Sequence, residues 1–456
     1  MKYILILFIT LIFTGCGENT STATNPITLG NNLIENNQTI DENTSSRVVN
    51  IYIHGYNQEG EQKTDTYGKD ESDKVLKNIA QTTGYSTMEN YKHELEKDII
   101  TMTDYYGSTA PDYYTTQDMR DVEKAEKGIP RYALIIAKYV KHIQRKTKTK
   151  SVNIISASMG TLVSRYLIEK NLENLSSEKK IKKWLSFEGV IKGNVAGSKE
   201  DLVGLLDVVK PQPSEVKQMH YNWVKNNLDE NSPYYKDIQI GFESSTRDDL
   251  NKGAITAVLL GDGKNPANDG VQAVNDTFFE NPHTHVLFHE NHRSLTKNMA
   301  VWGFAATFLT SKKHVRITLV EATVNDLHEL FGGQSEIVFE SSVHSLKAQE
   351  KWNFTNAIDE RMLDSGYLKL YKYANTGEAK VLNQVVFNSY VLEDENELTL
   401  EVTPYELDNN IKYKLIEISD NKYETLGKGT LAVPMINGTY DISGSDWSGK
   451  VKVEVE

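Results

Sequence analysis

Short apolar runs alternate with amphipathic helical patterns over residues 47–312. The first run, at 48–53, reads VVNIYI, and later runs follow at 98–107 and 151–156. Such runs are typical of strands buried on both faces, because their apolar side chains point to both sides of the sheet. Strands that alternate with helices predict a parallel sheet flanked by helices. We therefore predict an α/β fold with a mostly parallel sheet for this part of the chain.

One helix of this pattern opens at residue 129. Pro130 suits a first helical position, and lysines and arginines crowd the far end. The predicted apolar face comprises Ala133, Ile136, Ala137, Val140 and Ile143. A further β-α step is predicted at 183–193, a strand at 253–263 and a closing helix at 294–309.

After residue 312 the pattern changes to short alternating runs separated by turns such as ANTG and INGT. The runs are HVRITLVEATV, SEIVFESSV, YLKLYKY, ELTLEVTP, IKYKLIEIS and KVKVEVE. They predict an all-β, sandwich-like accessory domain at 313–456, following the α/β domain at 47–312. Residues 195–250 interrupt the α/β alternation and are predicted to form a lid-like insertion.

The first fifteen residues, MKYILILFITLIFTG, combine one lysine with an apolar run and end in small residues before Cys16. These features are typical of a signal peptide, and the run is short for a membrane span. Phe13-Thr14-Gly15-Cys16 resembles a bacterial lipobox, in which the signal is removed and the cysteine is lipidated. The resemblance implies a signal peptide at 1–15 and a lipid-anchored flexible tether at 16–46. An ordinary secretory signal with a chance cysteine is the alternative.

Either interpretation predicts an exported protein, and the lipobox implies an anchor in the bacterial envelope, at the outer membrane or cell surface. Cys16 is the single cysteine, so an internal disulfide is excluded. The formal net charge is −13, with no basic stripe, which argues against nucleic acid as a partner. The sequence does not indicate an oligomeric state.

Residues 151–170, SVNIISASMGTLVSRYLIEK, are predicted to form a strand, a hinge of small residues and a helix. A serine at such a hinge is the nucleophile in the G-x-S-x-G elbow, which needs small residues two positions before and after it. Ser158 is followed by Gly160 and preceded by Ser156, which replaces the first glycine. Ser158 is therefore the candidate nucleophile, with Ser156 as a spacer. The alternative is that Ser158 only caps the helix.

A serine nucleophile needs a base, and four histidines lie just ahead of the predicted closing helix. We favour His292, which directly precedes that helix, and take His289 as second choice. His283 and His285 are expected to lie in loops. A zinc site of His285, His289 and His292 is the alternative, since their spacing suits zinc.

The base needs an acid that orients its imidazole ring and stabilises its cation. Asp262, at the end of the strand predicted at 253–263, and Asp269, in the loop that follows, are equally suitable by position. Asp276 is less well placed. The residues alone leave the choice between Asp262 and Asp269 open.

The tetrahedral intermediate of acyl transfer carries an oxyanion that needs backbone N–H donors. Met159, the residue after Ser158, supplies one N–H. The second is expected after an early strand, where IYIHGYN places Gly55 at a tight bend and turns the N–H of Tyr56 inward. We therefore predict an oxyanion hole formed by Tyr56 and Met159.

Four segments together resemble the bacterial lipase and esterase branch of the α/β-hydrolases. VNIISASMGTLVSRYL resembles that family's strand, nucleophile elbow and helix, and YIHGYN its His-Gly oxyanion turn. NDGVQAV resembles the segment with the catalytic acid, and NHRSLTKNMAVWGFAATFL the catalytic histidine and the C-terminal helix. The resemblance covers residues 47–312, with the segments in the family's order.

The resemblance implies an α/β-hydrolase fold and a triad of Ser158, Asp269 and His292, which decides between the two aspartates. It implies hydrolysis of carboxylic esters through an acyl-enzyme, with lipid-like esters as substrates. The chain departs from the family at Ser156, where a glycine is usual, and at Ala157, where a histidine or similar residue is common.

The resemblance implies no cofactor, and we assign no carboxylate cluster to the structural calcium that some relatives carry. Other functions stay open. The chain could be an inactive surface protein whose β-sandwich binds carbohydrate or another partner, or a hydrolase of thioesters, polyesters or amides. The same triad serves all these reactions, so the sequence does not decide the substrate.

Overall fold

The computed structural model describes residues 47–56, 65–71, 74–194, 214–247, 268–280, 284–288, 290–327, 335–345, 370–407 and 424–456. Several predicted features lie outside these residues: the signal peptide, the tether with Cys16, the strand at 253–263 with Asp262, His283, His289, and the run IKYKLIEIS. No helix within the described ranges is long and apolar enough to cross a membrane.

The chain forms two compact units. The first comprises Met1–Trp184, Pro211–Met219 and Asn226–Gln239, and the second comprises Leu185–Lys210, His220–Lys225 and Ile240–Glu456. The domain boundaries expected after residues 46 and 312 stay predictions.

A mostly parallel, eight-stranded sheet forms the α/β part of the chain and confirms the predicted fold class. Its strands are β1 (Val49–Ile53), β2 (Asp70–Glu71), β3 (Ser86–Thr87), β4 (Ile99–Thr103), β5 (Val152–Ala157), β6 (Ile181–Phe187), β7 (Gln239–Ser245) and β8 (Thr284–Phe288). Their order is β2-β4-β1-β5-β6-β7-β8, with β3 paired to β4. β1 runs parallel to β4 and β5, and β7 runs parallel to β8, whereas β2 is antiparallel to β4.

Buried asparagines fix the register of three neighbouring strands. Every residue of β1, β4 and β5 is buried, as the apolar runs predicted. Asn153 Nδ2 donates to Asn50 Oδ1 at 2.9 Å, and Asn50 Nδ2 donates to the carbonyl oxygen of Ile99 at 3.2 Å. A shift in strand register would separate these buried amides from their partners, which costs free energy.

Helices lie where the pattern predicts them after residues 129 and 158 and before residue 312, whereas residues 188–193 of the predicted β-α step form no helix. They are α1 (Lys74–Thr83), α2 (Thr116–Lys124), α3 (Ile129–Thr147), α4 (Met159–Glu169), α5 (Ser214–Gln218), α6 (Tyr221–Asn227) and α7 (Met299–Thr310). Short 3₁₀ helices lie at Leu172–Asn174, Tyr235–Asp237, Val274–Asp276 and Leu295–Lys297. In α3, Pro130 lies in the first turn, Arg145 and Lys146 lie in the last, and the predicted apolar face is buried.

Two antiparallel sheets form the C-terminal β part and confirm its predicted class. The strands are β9 (His314–Val324), β10 (Ser335–Ser345), β11 (Tyr371–Tyr373), β12 (Ala379–Tyr390), β13 (Glu397–Leu407), β14 (Glu424–Thr425), β15 (Gly429–Pro434), β16 (Gly438–Ser443) and β17 (Trp447–Val455). One sheet has the order β11-β10-β13-β14 with β15 paired to β13, and the other has the order β12-β9-β17-β16. The rings of Phe339 and Trp447, one from each sheet, meet edge to face at 5.8 Å. Their contact lies in the core between the sheets.

The sequence pattern missed strand β12 because its alternation is broken. Its register against β9 shifts between Val381 and Gln384 and again between Val385 and Phe387. Asn383, in the first of these irregularities, has a left-handed backbone with φ 48°. Bulges of this kind move side chains from one face to the other, so a search for a period of two overlooks the strand.

Strand β7 lies inside the segment predicted to be a lid-like insertion. It belongs to the main sheet between β6 and β8. Its sequence, QIGFESS, offers few apolar residues, yet Phe242, Glu243, Ser244 and Ser245 are all buried. The strand was therefore hidden by its polar composition, and the lid role of the remaining segment stays a prediction.

His285 does not lie in a loop as predicted, because it is the second residue of strand β8. Its Nε2 lies 2.8 Å from the hydroxyl of Ser244 on the neighbouring strand. Burial lowers the pKa of His285 to about 3 from an ordinary 6.5. The residue is therefore a neutral, hydrogen-bonded side chain of the folded sheet.

We predict that His285 makes the fold acid-sensitive. Below pH 6.5 the unfolded chain binds a proton at this histidine while the folded chain stays neutral, so stability falls as the pH drops toward the folded pKa of about 3. Between pH 6.5 and about 3, this single histidine lowers the free energy of unfolding by at most about 1.4 kcal/mol for each pH unit. Urea unfolding of wild type and His285→Gln at pH 7, 6 and 5 tests this.

The variant should lose less stability on acidification than wild type. The exposed His93→Gln serves as the matched control and should follow wild type. An identical pH dependence in wild type and His285→Gln would contradict the prediction.

Candidate active site

Ser158 occupies a strained turn between β5 and α4. Its backbone angles are φ 52° and ψ −124°, a conformation that non-glycine residues rarely adopt. Its side chain makes no capping hydrogen bond to the helix. The geometry is therefore that of a nucleophile elbow and differs from that of a helix cap.

Two glycines allow the turn after β1 to pack directly against this elbow. A Cβ at Gly160 would lie 2.4 Å from the carbonyl oxygens of both Ile53 and His54, so only glycine fits there. A Cβ at Gly55 would lie 2.8 Å from the Cβ of Ser158. The first contact explains why the residue two positions after the serine must be small.

Ser156 has a structural role beyond its small size. Its buried hydroxyl accepts a hydrogen bond from Trp184 Nε1 at 2.8 Å and lies 3.1 Å from the hydroxyl of Thr161. A glycine at this position would remove an acceptor of the buried indole N–H. The serine at this position, where the elbow motif has glycine, thus serves the packing of β5 against β6.

The peptide between Gly55 and Tyr56 is held in a fixed orientation. The Gly55 carbonyl accepts hydrogen bonds from His54 Nδ1 at 2.7 Å and from the Tyr105 hydroxyl at 3.1 Å. In a trans peptide the N–H points opposite to the carbonyl, so the N–H of Tyr56 faces away from Tyr105. Met159 is the first residue of α4, where backbone N–H groups have no partner within the helix. Both predicted oxyanion donors are thus backbone groups beside the elbow.

Asp269 and His292 form a direct hydrogen-bonded pair. His292 Nδ1 lies 2.7 Å from Asp269 Oδ2, and the backbone N–H of His292 donates to the Asp269 carbonyl at 2.9 Å. The Asp269 side chain is 1% exposed and that of His292 is 14% exposed. Because a carboxylate only accepts, Nδ1 carries the proton and Nε2 remains as the basic nitrogen.

The loop at 268–272 holds the Asp269 carboxylate in place. Its Oδ1 accepts the backbone N–H groups of Val271 at 2.8 Å and Gln272 at 2.7 Å. Asn268 Oδ1 accepts the N–H of Gly270, whose φ of 93° requires glycine. Asp269 thus has both oxygens engaged, one by the backbone and one by the imidazole.

Glu188 is a third member of this cluster that the sequence reasoning missed. Its Oε2 lies 3.3 Å from His292 Nδ1, and its side chain is 3% exposed. Burial, with the negative charge of Asp269 as the next cause, holds the pKa of Glu188 well above its usual range. The available signal was FEG, an acidic residue and a glycine directly after the apolar end of β6.

The zinc alternative of His285, His289 and His292 stays a prediction, because His289 lies outside the described residues. Glu188, Asp269 and His292 form a group of potential ligands within 4.8 Å of one another, and His285 is not part of it. His289, the remaining residue of the alternative, lies outside the described ranges, as does Asp262.

Asp276 is engaged elsewhere in the second unit. Its carboxylate accepts a hydrogen bond from the Tyr221 hydroxyl, and its carbonyl accepts the backbone N–H groups of Ile191 and Lys192. Ser158 with its glycines belongs to the first compact unit, and Glu188, Asp269 and His292 belong to the second. The structure thus brings the predicted acid and base together, and it holds the predicted nucleophile beside the predicted oxyanion turn.

Neither a protein-family model nor a curated protein sequence matches the chain. Among solved structures it is similar to a Bacillus licheniformis lipase in its propeptide form, with 11% identity, a TM-score of 0.40 and coverage of 90% of this chain and 93% of that one. The mature form of that lipase gives 13% identity, a TM-score of 0.37 and coverage of 55% and 87%. A metagenomic carboxyl esterase gives 12% identity, a TM-score of 0.33 and coverage of 61% and 75%. At these low scores the likenesses carry no inference about activity.

We predict that the backbone strain at Ser158 lowers the free energy of unfolding by a measurable amount. Glycine adopts the observed φ of 52° without a steric penalty, whereas alanine does not. Strain of this kind costs about 1–3 kcal/mol, against about 0.5–1 kcal/mol of extra chain entropy that glycine loses on folding. Ser158→Gly should therefore be about 1 kcal/mol more stable than Ser158→Ala in urea unfolding.

Both variants lack the hydroxyl, so the comparison isolates the backbone. If Ser158→Gly is the less stable of the two, the elbow is not strained in solution.

Proposed function

We propose that the chain is a serine hydrolase that cleaves carboxylic esters through an acyl-enzyme. The observation that carries the proposal is the backbone of Ser158, which presents a hydroxyl at a strained elbow and does not use it to cap the helix. The hydrogen-bonded pair of Asp269 and His292 supports it, because this pair supplies an oriented base.

In this mechanism Ser158 Oγ attacks the ester carbonyl while His292 Nε2 takes the hydroxyl proton. The backbone N–H groups of Tyr56 and Met159 stabilise the oxyanion, since both are fixed before the substrate arrives. His292 then gives the proton to the leaving alcohol. Water, activated by the same nitrogen, hydrolyses the acyl-enzyme.

Asp269 keeps the proton of His292 on Nδ1 and stabilises the imidazolium that forms during each proton transfer. The two backbone N–H groups on its other oxygen prevent the carboxylate from rotating away. Val271, two residues along the same loop, exposes 47% of its surface. We propose lipid-like esters as the substrate class from the sequence resemblance to lipases and esterases.

We further propose that the protein acts from the bacterial cell envelope, held by a lipid on Cys16. The full-length protein, expressed in bacteria with radiolabelled palmitate, should incorporate label and stay with the membranes. Cys16→Ser should incorporate none, because this is the single cysteine and the proposed acylation site. Equal labelling of both proteins, or none of wild type, would contradict the proposal.

We predict that ester hydrolysis depends on Ser158 and His292. On p-nitrophenyl esters of rising acyl length, Ser158→Ala and His292→Ala should each lose at least ~10³-fold in kcat. A fluorophosphonate probe should label wild type and leave Ser158→Ala unlabelled.

Matched controls lie in the same sheet and helix. Ser164→Ala removes a buried hydroxyl of α4 that donates to the Gly160 carbonyl, and His285→Gln changes a buried histidine of β8. Both should keep their activity and their labelling. Hydrolysis by Ser158→Ala at the wild-type rate would refute the mechanism, and a wild type that neither hydrolyses nor labels would favour the inactive surface protein.

A further inference from the structure

We propose that Glu188 is a second acid partner of His292, able to hold the imidazole and its positive charge when Asp269 cannot. Glu188 acts through His292 and is therefore a positioning residue. The inference rests on the proposed function, because it assigns a role around the proposed base.

The position of Glu188 is set by the fold. It follows the last residue of β6, and its backbone N–H donates to the carbonyl of Glu243 on β7 at 2.8 Å. Its φ of 47° lies in the left-handed region, where a side chain such as glutamate is disfavoured. This backbone directs Oε2 to within 3.3 Å of His292 Nδ1. A non-glycine residue kept in this conformation is typical of a functional constraint.

The same imidazole nitrogen faces both carboxyl groups, at 2.7 Å from Asp269 and 3.3 Å from Glu188. Two buried carboxylates this close cannot both be ionised cheaply, so the pair retains one proton. Burial and the charge of Asp269 raise the pKa of Glu188, which places that proton on Glu188. In the resting site Glu188 is therefore the neutral partner of His292.

The other carboxyls around Glu188 favour its neutral form as well, whereas the hydrogen bond from the Ser245 hydroxyl favours its charged form. The described groups that act on it are the carboxyls of Asp269, Glu243 and Glu290, the hydroxyl of Ser245 and the imidazole of His292. Glu243 is itself buried with a raised pKa, caused by its desolvation. Of these groups, the imidazole of His292 lies 3.3 Å from Glu188 and can become a cation. When Asp269 is removed, the imidazolium becomes the natural partner of an ionised Glu188.

The test is a double-mutant cycle on ester hydrolysis with Asp269→Ala, Glu188→Gln and the double variant. Glutamine imitates a protonated glutamate, so Glu188→Gln alone should stay within about tenfold of wild type. Asp269→Ala should lose about 10- to 100-fold, less than the ~10⁴-fold that loss of a sole triad acid causes. The double variant should lose ~10⁴-fold.

The pH profile distinguishes positioning from a structural effect. In Asp269→Ala, activity should rise toward alkaline pH as Glu188 ionises, and this rise should vanish in the double variant. Glu243→Gln in the Asp269→Ala background is the matched control. It changes another buried carboxyl that is not in the cluster with His292, and it should keep the alkaline rise.

The outcomes separate this inference from the proposed function. If Ser158→Ala abolishes hydrolysis and the double variant is no worse than Asp269→Ala, Glu188 has no such role while the mechanism stands. An Asp269→Ala enzyme that has already lost ~10⁴-fold overturns the inference in the same way. If Ser158→Ala is fully active, the proposed function itself has failed.

Discussion

The close packing of the turn after β1 against the elbow after β5 is the constraint on which the proposed site depends. Gly160 admits the carbonyls of Ile53 and His54 at a distance that no side chain would allow, and Gly55 meets the Cβ of Ser158. The sheet thereby holds Ser158 in a backbone conformation that a free chain would avoid. The same packing brings the predicted oxyanion turn to the candidate nucleophile.

Buried hydrogen bonds keep this arrangement rigid. Asn50 and Asn153 fix the register of β1 against β5, and Trp184 is bonded to Ser156 two residues before the elbow. Tyr105 and His54 together hold the Gly55 carbonyl. The bonds of Asn50 to Asn153 and of Trp184 to Ser156 are buried, where a lost partner is costly, and those to the Gly55 carbonyl are partly buried, so the backbone around the serine has little freedom.

The cluster of Glu188, Asp269 and His292 depends on the different surroundings of its two carboxyl groups. Asp269 accepts backbone N–H groups on one oxygen and lies against His292 Nδ1 with the other, so its carboxylate is fixed in place. Glu188 has burial and neighbouring carboxyls, which favour its neutral form. The imidazole therefore faces one acid fixed by backbone hydrogen bonds and one whose neutral form is favoured by burial. The difference between Asp269 and Glu188 comes from their surroundings, since both side chains end in a carboxyl group.

Much of the fold was readable from the sequence because its strongest signals are local. The apolar runs of β1, β4 and β5 and the amphipathic α3 reflect burial that each segment encodes by itself. The sequence pattern did not predict strand β7, because its buried residues are mostly polar. It did not predict β12, because bulges interrupt the alternation of that strand. His285 was predicted to lie in a loop, because the sequence does not show that its imidazole contacts Ser244 on the neighbouring strand.

The sequence could predict those parts of the candidate site in which a motif imposes backbone requirements. It could not predict the parts that depend on tertiary contacts. Gly160 indicates a position that needs a small residue, and Asn268-Asp269-Gly270 indicates a tight turn. Glu188 reaches His292 only because β6 lies beside β7 in the sheet, and one sequence does not contain that distance. Local motifs therefore predicted Ser158, Asp269 and His292, whereas Glu188 needed the folded sheet.

The most direct test of the central claim is a crystal structure of the protein after reaction with a fluorophosphonate. The account predicts phosphorus bonded to Ser158 Oγ and His292 Nε2 within about 3.2 Å of that oxygen. It also predicts the phosphoryl oxygen about 2.7–3.1 Å from the N–H groups of Tyr56 and Met159. A phosphonate on any other residue, or a His292 out of hydrogen-bonding reach of the adduct, would contradict it.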